Sequence, residues 1–128
     1  MNAWKNDVVI EISEKTFVND LSTCAFFIEK YKKAGFKIAI DDFGSEYSAL
    51  NILGSINYDV LKLEGNFGMN VLSELNEAIV KMVKNIADLS NKTIVVEGVE
   101  TVEQSEKLAN LGCVYQQGYY HHRPSKLN

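Results

Sequence analysis

Short apolar runs recur along the chain, and every gap between them is long enough to hold a helix. Val8–Ile12, Lys37–Phe43, Tyr58–Leu63, Thr93–Val96 and Val114–Tyr119 read as strands. Between the first two, Leu21, Cys24, Ile28 and Tyr31 fall on one helical face, and Gly35 is placed to end that helix. A short helix is expected near Tyr47–Leu53. Leu75, Ile79, Met82, Ile86 and Leu89 make a second apolar stripe, expected to face the core. Thr101 and Gln104 have the spacing of a capping box, and Gly112 closes the helix that follows. Strands separated by helices require crossover connections, and crossovers give parallel pairing. The expected class is therefore α/β, with about five parallel strands.

Composition narrows the partners. The chain is 46% hydrophobic and 23% charged, as in an ordinary globular unit. A net charge of −4 gives no support for a surface that binds a nucleic acid polymer. No apolar run approaches the ~20 residues of a membrane span, and no signal-peptide pattern opens the chain. Cys24 and Cys113 are far apart, and neither sits in a CxxC pair. A reduced, cytoplasmic protein with two small buried cysteines is the expectation, without membrane contact.

The polar residues carry the functional signal. Glu11 lies near the end of the first strand, and Asp41 and Asp42 end the second. Lys62 lies near the end of the third, Glu97 ends the fourth, and Gln117 sits near the end of the last. In a parallel α/β protein these ends share one side, where active sites are built. Carboxylates gathered there repel unless a proton or cation joins them, and hard oxygen ligands suit magnesium or manganese. The bland alternative for Asp41 and Asp42 is the start of a solvated loop; its repetition over successive strands weighs against that. Lys62 has its own alternative as a surface lysine. Glu100 suits the rim or the start of the following helix equally well.

DDFGSEYSAL, the lysine of VLKLEGNF, VVEGVET and GCVYQQGYYHHRP resemble the successive motifs of the EAL domain family, and VVIEISE resembles its glutamate-bearing strand. The similarity covers nearly the whole chain. Those domains are bacterial phosphodiesterases that hydrolyse the second messenger cyclic di-GMP to pGpG in signal transduction. The resemblance implies metal-binding roles for Glu11, Asp41 and Asp42, with Asp41 between two divalent metals, Mg2+ or Mn2+. It implies that Lys62 contacts the water nucleophile, and that Glu97 serves as general base or positions water and metal. It places Gln117 near the substrate and Glu14 in support of the loop after the DDFG strand. A phosphodiester is already anionic, so cations offset charge in the transition state and ready a water for attack.

The departures are as informative. No Glu-Ala-Leu motif occurs, and nothing before Glu11 corresponds to the family's metal-binding asparagine. The family's (β/α)8 barrel typically needs ~250 residues. The chain thus resembles the C-terminal portion of an EAL domain, residues 1–128, lacking the early strands and part of the two-metal site. Glu46 replaces a usual glycine, Glu64 a usual aspartate, and His122 a usual serine. His121 and His122 beside Arg123 read as surface or rim packing more readily than as ligands. A partial barrel leaves an open strand edge, to be covered by another copy or by the missing half. The readings are a metal-dependent phosphodiesterase or a piece of one, inactive alone; a degenerate module that binds nucleotide or a protein partner without turnover; and an inert fragment that oligomerises.

Overall fold

Each expected apolar run down to Val96 forms a strand. The computed structural model describes residues 8–17, 20–45 and 49–118. Glu46, Tyr47, Tyr119, His121, His122 and Arg123, all named above, lie outside them. The chain divides into two compact units, residues 1–61 and 62–128.

The first unit holds β1 (Val9–Ser13), a 3-10 turn (Glu14–Phe17), α1 (Leu21–Lys33), β2 (Lys37–Phe43), α2 (Ala49–Ser55) and the first half of β3 (Val60–Leu63). β1 and β2 pair in parallel, in a register that sets Glu11 opposite Ala39 and Ser13 opposite Asp41. α1 starts where the Asp20 carboxylate accepts a hydrogen bond from the Thr23 N–H (3.0 Å). It ends with Lys30, Lys32 and Lys33 in its last turn, and Gly35 follows at φ +99°. Asp59 then secures the start of β2. Its carboxylate accepts from the Lys32 ammonium (2.6 Å) and from the Ile38 N–H (2.8 Å). Ile28, Ile38 and Ile40 are fully buried here. Cys24 is only half-buried, which corrects its placement among the buried residues, whereas Cys113 is buried.

The second unit continues through α3 (Gly65–Met69), α4 (Glu74–Leu89), β4 (Thr93–Val96) and α5 (Val102–Asn110). Strand order follows chain order, β1-β2-β3-β4. That one-way winding, with a helix in each crossover, is the pattern of a (β/α)8 barrel wall rather than of a sheet that reverses direction. The Thr101–Gln104 capping box is formed in full. Two expectations need correction. The run from Val114 forms no strand among the described residues; it makes a single parallel bridge, Gln116 to Val96. The α4 stripe is also the wrong one. Val80, Val83 and Ala87 are the buried residues, while Leu75 and Leu89 are 70% and 80% exposed and Met82 is 46% exposed. Small and β-branched side chains let the helix axis approach its neighbours closely, and they take the inner face.

Candidate functional site

In the first unit, pairing register decides which side chains share a face. Residues opposite one another in a parallel pair point the same way, and successive residues alternate. Glu11, Ser13, Ala39 and Asp41 therefore share one face. Ile10 and Ile12 lie on the other, where they line an apolar groove with Phe27 and Ile28 of α1. Glu11 is an exposed residue at the middle of β1, two residues before its end, and Asp41 is half-buried. They are diagonal neighbours on the face turned away from α1.

Asp42 breaks the alternation. Its φ is +56°, the left-handed region that costs a residue with a Cβ about 1 kcal/mol or more. Aspartate is among the side chains that tolerate it best. This conformation sets Asp42 off the pleat beside Asp41; the same conformation recurs at Asn91 (φ +59°), in the turn after α4.

Glu14, on the 3-10 turn, is fully buried. Its carboxylate accepts from the Gly44 N–H (3.3 Å) and the Ser45 hydroxyl (3.2 Å). It thus grips Gly44 and Ser45, two and three residues after Asp42. Ser45 was not distinguished by the sequence pattern; a serine after a glycine carries no signal of its own.

In the second unit, Lys62 is half-buried in the penultimate position of β3. Glu97 directly follows β4, and its N–H donates to the Leu63 carbonyl (3.2 Å). Its own carbonyl accepts from the Gly68 N–H (3.1 Å). Gln117 is exposed and follows the bridge; its N–H donates to the Val96 carbonyl (2.9 Å), and its carbonyl accepts from the Val99 N–H (3.2 Å). Backbone bonds thus tie Glu97 to the last residue of β3, next to Lys62, and Gln117 to the last residue of β4. Glu64 caps α3, with its side chain accepting from the Asn66 N–H (3.1 Å). Glu100 is exposed, and its N–H donates to the Gln104 side-chain oxygen (2.6 Å), so it belongs to the start of α5.

Close backbone packing shapes this turn. A Cβ at Gly68 would stand 2.2 Å from the Glu97 carbonyl oxygen, and one at Gly98 1.8 Å from that of Gly65. Gly98 also has φ +87°. Gln104 is buried, and besides capping α5 it donates to the Met69 carbonyl (2.9 Å). The sequence shows glycines in GNFG and EGVE, but not which backbone each must admit.

An α/β chain wound in strand order, with a helix in each crossover, is of the parallel barrel class. The chain belongs to the EAL domain family, whose model matches residues 2–124. It is 35% identical over 121 residues to "Probable cyclic di-GMP phosphodiesterase PdeA" of Escherichia coli, covering 94% of this chain and 17% of that protein. It resembles the solved EAL domain of Mycobacterium smegmatis DcpA, with 34% identity and a TM-score of 0.80, over 88% of this chain and 51% of that one. It also resembles a solved structure of PaMucR phosphodiesterase in complex with c-di-GMP, with 36% identity and a TM-score of 0.79, over 91% of this chain and 47% of that one. The chain thus spans about half of these solved neighbours and under a fifth of the curated relative. Among the described residues, no helix is long and apolar enough to cross a membrane.

Proposed function

We propose that the protein carrying this chain is a cyclic di-GMP phosphodiesterase that forms pGpG with Mg2+ or Mn2+, acting in the cytoplasm. The observation that carries this reading is the register placing Glu11 and Asp41 on one face, beside a strained Asp42. These carboxylates fit a hard divalent cation, and Glu11, Asp41 and Asp42 are the residues assigned to hold it. When bound, such a cation stabilises developing charge on the phosphodiester and lowers the pKa of a water. Lys62 is assigned to orient the attacking water, Glu97 to accept its proton or position it, and Gln117 to contact the nucleotide. Glu14 fixes the loop that follows Asp42. These 128 residues form the C-terminal portion of the EAL domain and alone turn over little, since further ligands and pocket walls come from its other half or from another copy. The names of the similar proteins support the substrate.

The test compares the full-length protein with its Asp41→Asn variant, incubated with cyclic di-GMP and manganese and resolved by chromatography. The variant is expected to lose at least 100-fold in pGpG formation while its circular dichroism is unchanged. Wild-type turnover in Asp41→Asn would remove Asp41 from the site. Binding without any turnover by the wild type would favour the non-catalytic reading.

A further inference from the structure

We infer that Gly68 and Gln104 are positioning residues that set Glu97 for turnover; this rests on the role assigned to Glu97 above. Glu97 sits on a turn with no regular secondary structure, between β4 and α5. Two hydrogen bonds locate its backbone, from β3 and α3: its N–H to the Leu63 carbonyl (3.2 Å), and the Gly68 N–H to its carbonyl (3.1 Å). The second bond exists because residue 68 has no Cβ. A Cβ there would lie 2.2 Å from the Glu97 oxygen and 3.0 Å from its carbonyl carbon. Those are backbone atoms, so relief comes only by moving the turn or α3. Gly68 shows no positive φ and lies within α3, where alanine is otherwise the better helix former. Conformational freedom is therefore not what requires glycine at this position; the approach of Glu97 is.

Gln104 closes the same arrangement from the other side. Its side-chain oxygen accepts from the N–H groups of Glu100 (2.6 Å) and Thr101 (3.0 Å), and its amide nitrogen donates to the Met69 carbonyl (2.9 Å). One buried side chain thus ties the loop after Glu97 to the last residue of α3. A cap alone needs only the oxygen. The donated bond to Met69 is surplus to capping and accounts for an amide rather than a carboxylate at this position.

Three variants of the full-length protein separate the possibilities. Gly68→Ala drives the turn away. Gln104→Glu keeps the capping oxygen and removes the donor to Met69. Gly65→Ala is the control, because a Cβ there meets only the Gly98 Cα at 3.8 Å, ordinary contact. A displacement near 1 Å at a reacting group costs on the order of 100-fold in rate. Gly68→Ala and Gln104→Glu are expected to lower kcat per folded molecule at least tenfold, with KM within twofold and a displaced pH profile of kcat. Gly65→Ala is expected to stay within twofold. A variant that merely loses folded molecules keeps the wild-type pH profile, scaled down. In metal-free protein, amide exchange at Gly68 is expected to speed up in both clamp variants.

Glu97→Gln, assayed in parallel, tells the two layers apart. If it keeps the wild-type kcat, the role of Glu97 fails and this inference falls with it. If it is impaired while Gly68→Ala and Gln104→Glu keep the wild-type kcat and pH profile, only the inference is overturned. Should Gly68→Ala fail to fold, Gln104→Glu decides, since it leaves every capping acceptor in place.

Discussion

Replacing Glu14 by alanine should destabilise the chain by about 2–3 kcal/mol. The side chain is fully buried and accepts from the Gly44 N–H at 3.3 Å and the Ser45 hydroxyl at 3.2 Å. Hydrogen bonds to charged groups contribute roughly 1.5–3 kcal/mol each. Both distances are at the long end of the range, and Gly44 and Ser45 retain access to water, so about 1 kcal/mol each is the better figure. The deleted methylene and carboxyl leave a void worth roughly another 0.5–1 kcal/mol. Glu14→Gln keeps the shape and one acceptor oxygen and should lose only about 1 kcal/mol. Urea unfolding followed by circular dichroism reads the difference. With a slope of roughly 2 kcal/mol/M, the alanine midpoint should fall by about 1 M and the glutamine midpoint by about 0.5 M. An alanine midpoint within about 0.2 M of wild type would show that Glu14 does not hold the loop, whatever the distances suggest.

Three further outcomes are expected. Burial raises the Asp59 pKa, but hydrogen bonds from Lys32 and Ile38 and the charges of Lys32 and Lys37 outweigh it and hold the pKa below 3.8. A depressed carboxylate stabilises the fold above its unfolded pKa and loses that contribution as pH falls through the folded value. Asp59→Asn should therefore lower stability by about 1 kcal/mol at pH 7, and the gap should close progressively below pH ~3.8; equal gaps at pH 7 and pH 3 would contradict this. Chelation by EDTA should abolish cyclic di-GMP hydrolysis by the full-length protein, with recovery on adding manganese in excess; undiminished turnover in the chelator would end the metal assignment. The 128 residues alone should form pGpG at less than about a hundredth of the full-length rate, and comparable rates would mean that a second copy completes the site.

Much of the first unit was legible because its signals are local. Gly35 and the apolar residues of β2 act through their own backbone, and the structure follows them within a residue; the Asp20 cap carried no signal that the sequence pattern singled out. The position of Asp41 and Asp42 near a strand end was equally readable, although β2 runs on through both charges to Phe43. α4 shows where such reading ends. Its sequence carries two overlapping apolar stripes, and helical period alone weighs them by size and hydrophobicity. The larger stripe, Leu75 to Leu89, lost to Val80, Val83 and Ala87. What decides is how near the helix backbone comes to its neighbours, a distance that no periodicity encodes.

The same limit governs the site. Residue type marked the candidate groups, because carboxylates and a lysine are unusual near the ends of buried strands. It could not reveal what holds them, because that work falls to groups defined by absence. Gly68 matters through a missing Cβ next to the Glu97 carbonyl, and Gly98 through a missing Cβ next to that of Gly65. Gln104 announced itself as a cap, and the capping pattern concealed its second bond to Met69. A glycine in sequence is compatible with a turn, a helix end or a close approach. Only the approach makes a single methyl group at residue 68 damaging and the same methyl at residue 65 harmless. That contrast, between two glycines three residues apart in one short helix, separates a positioning role from generic flexibility.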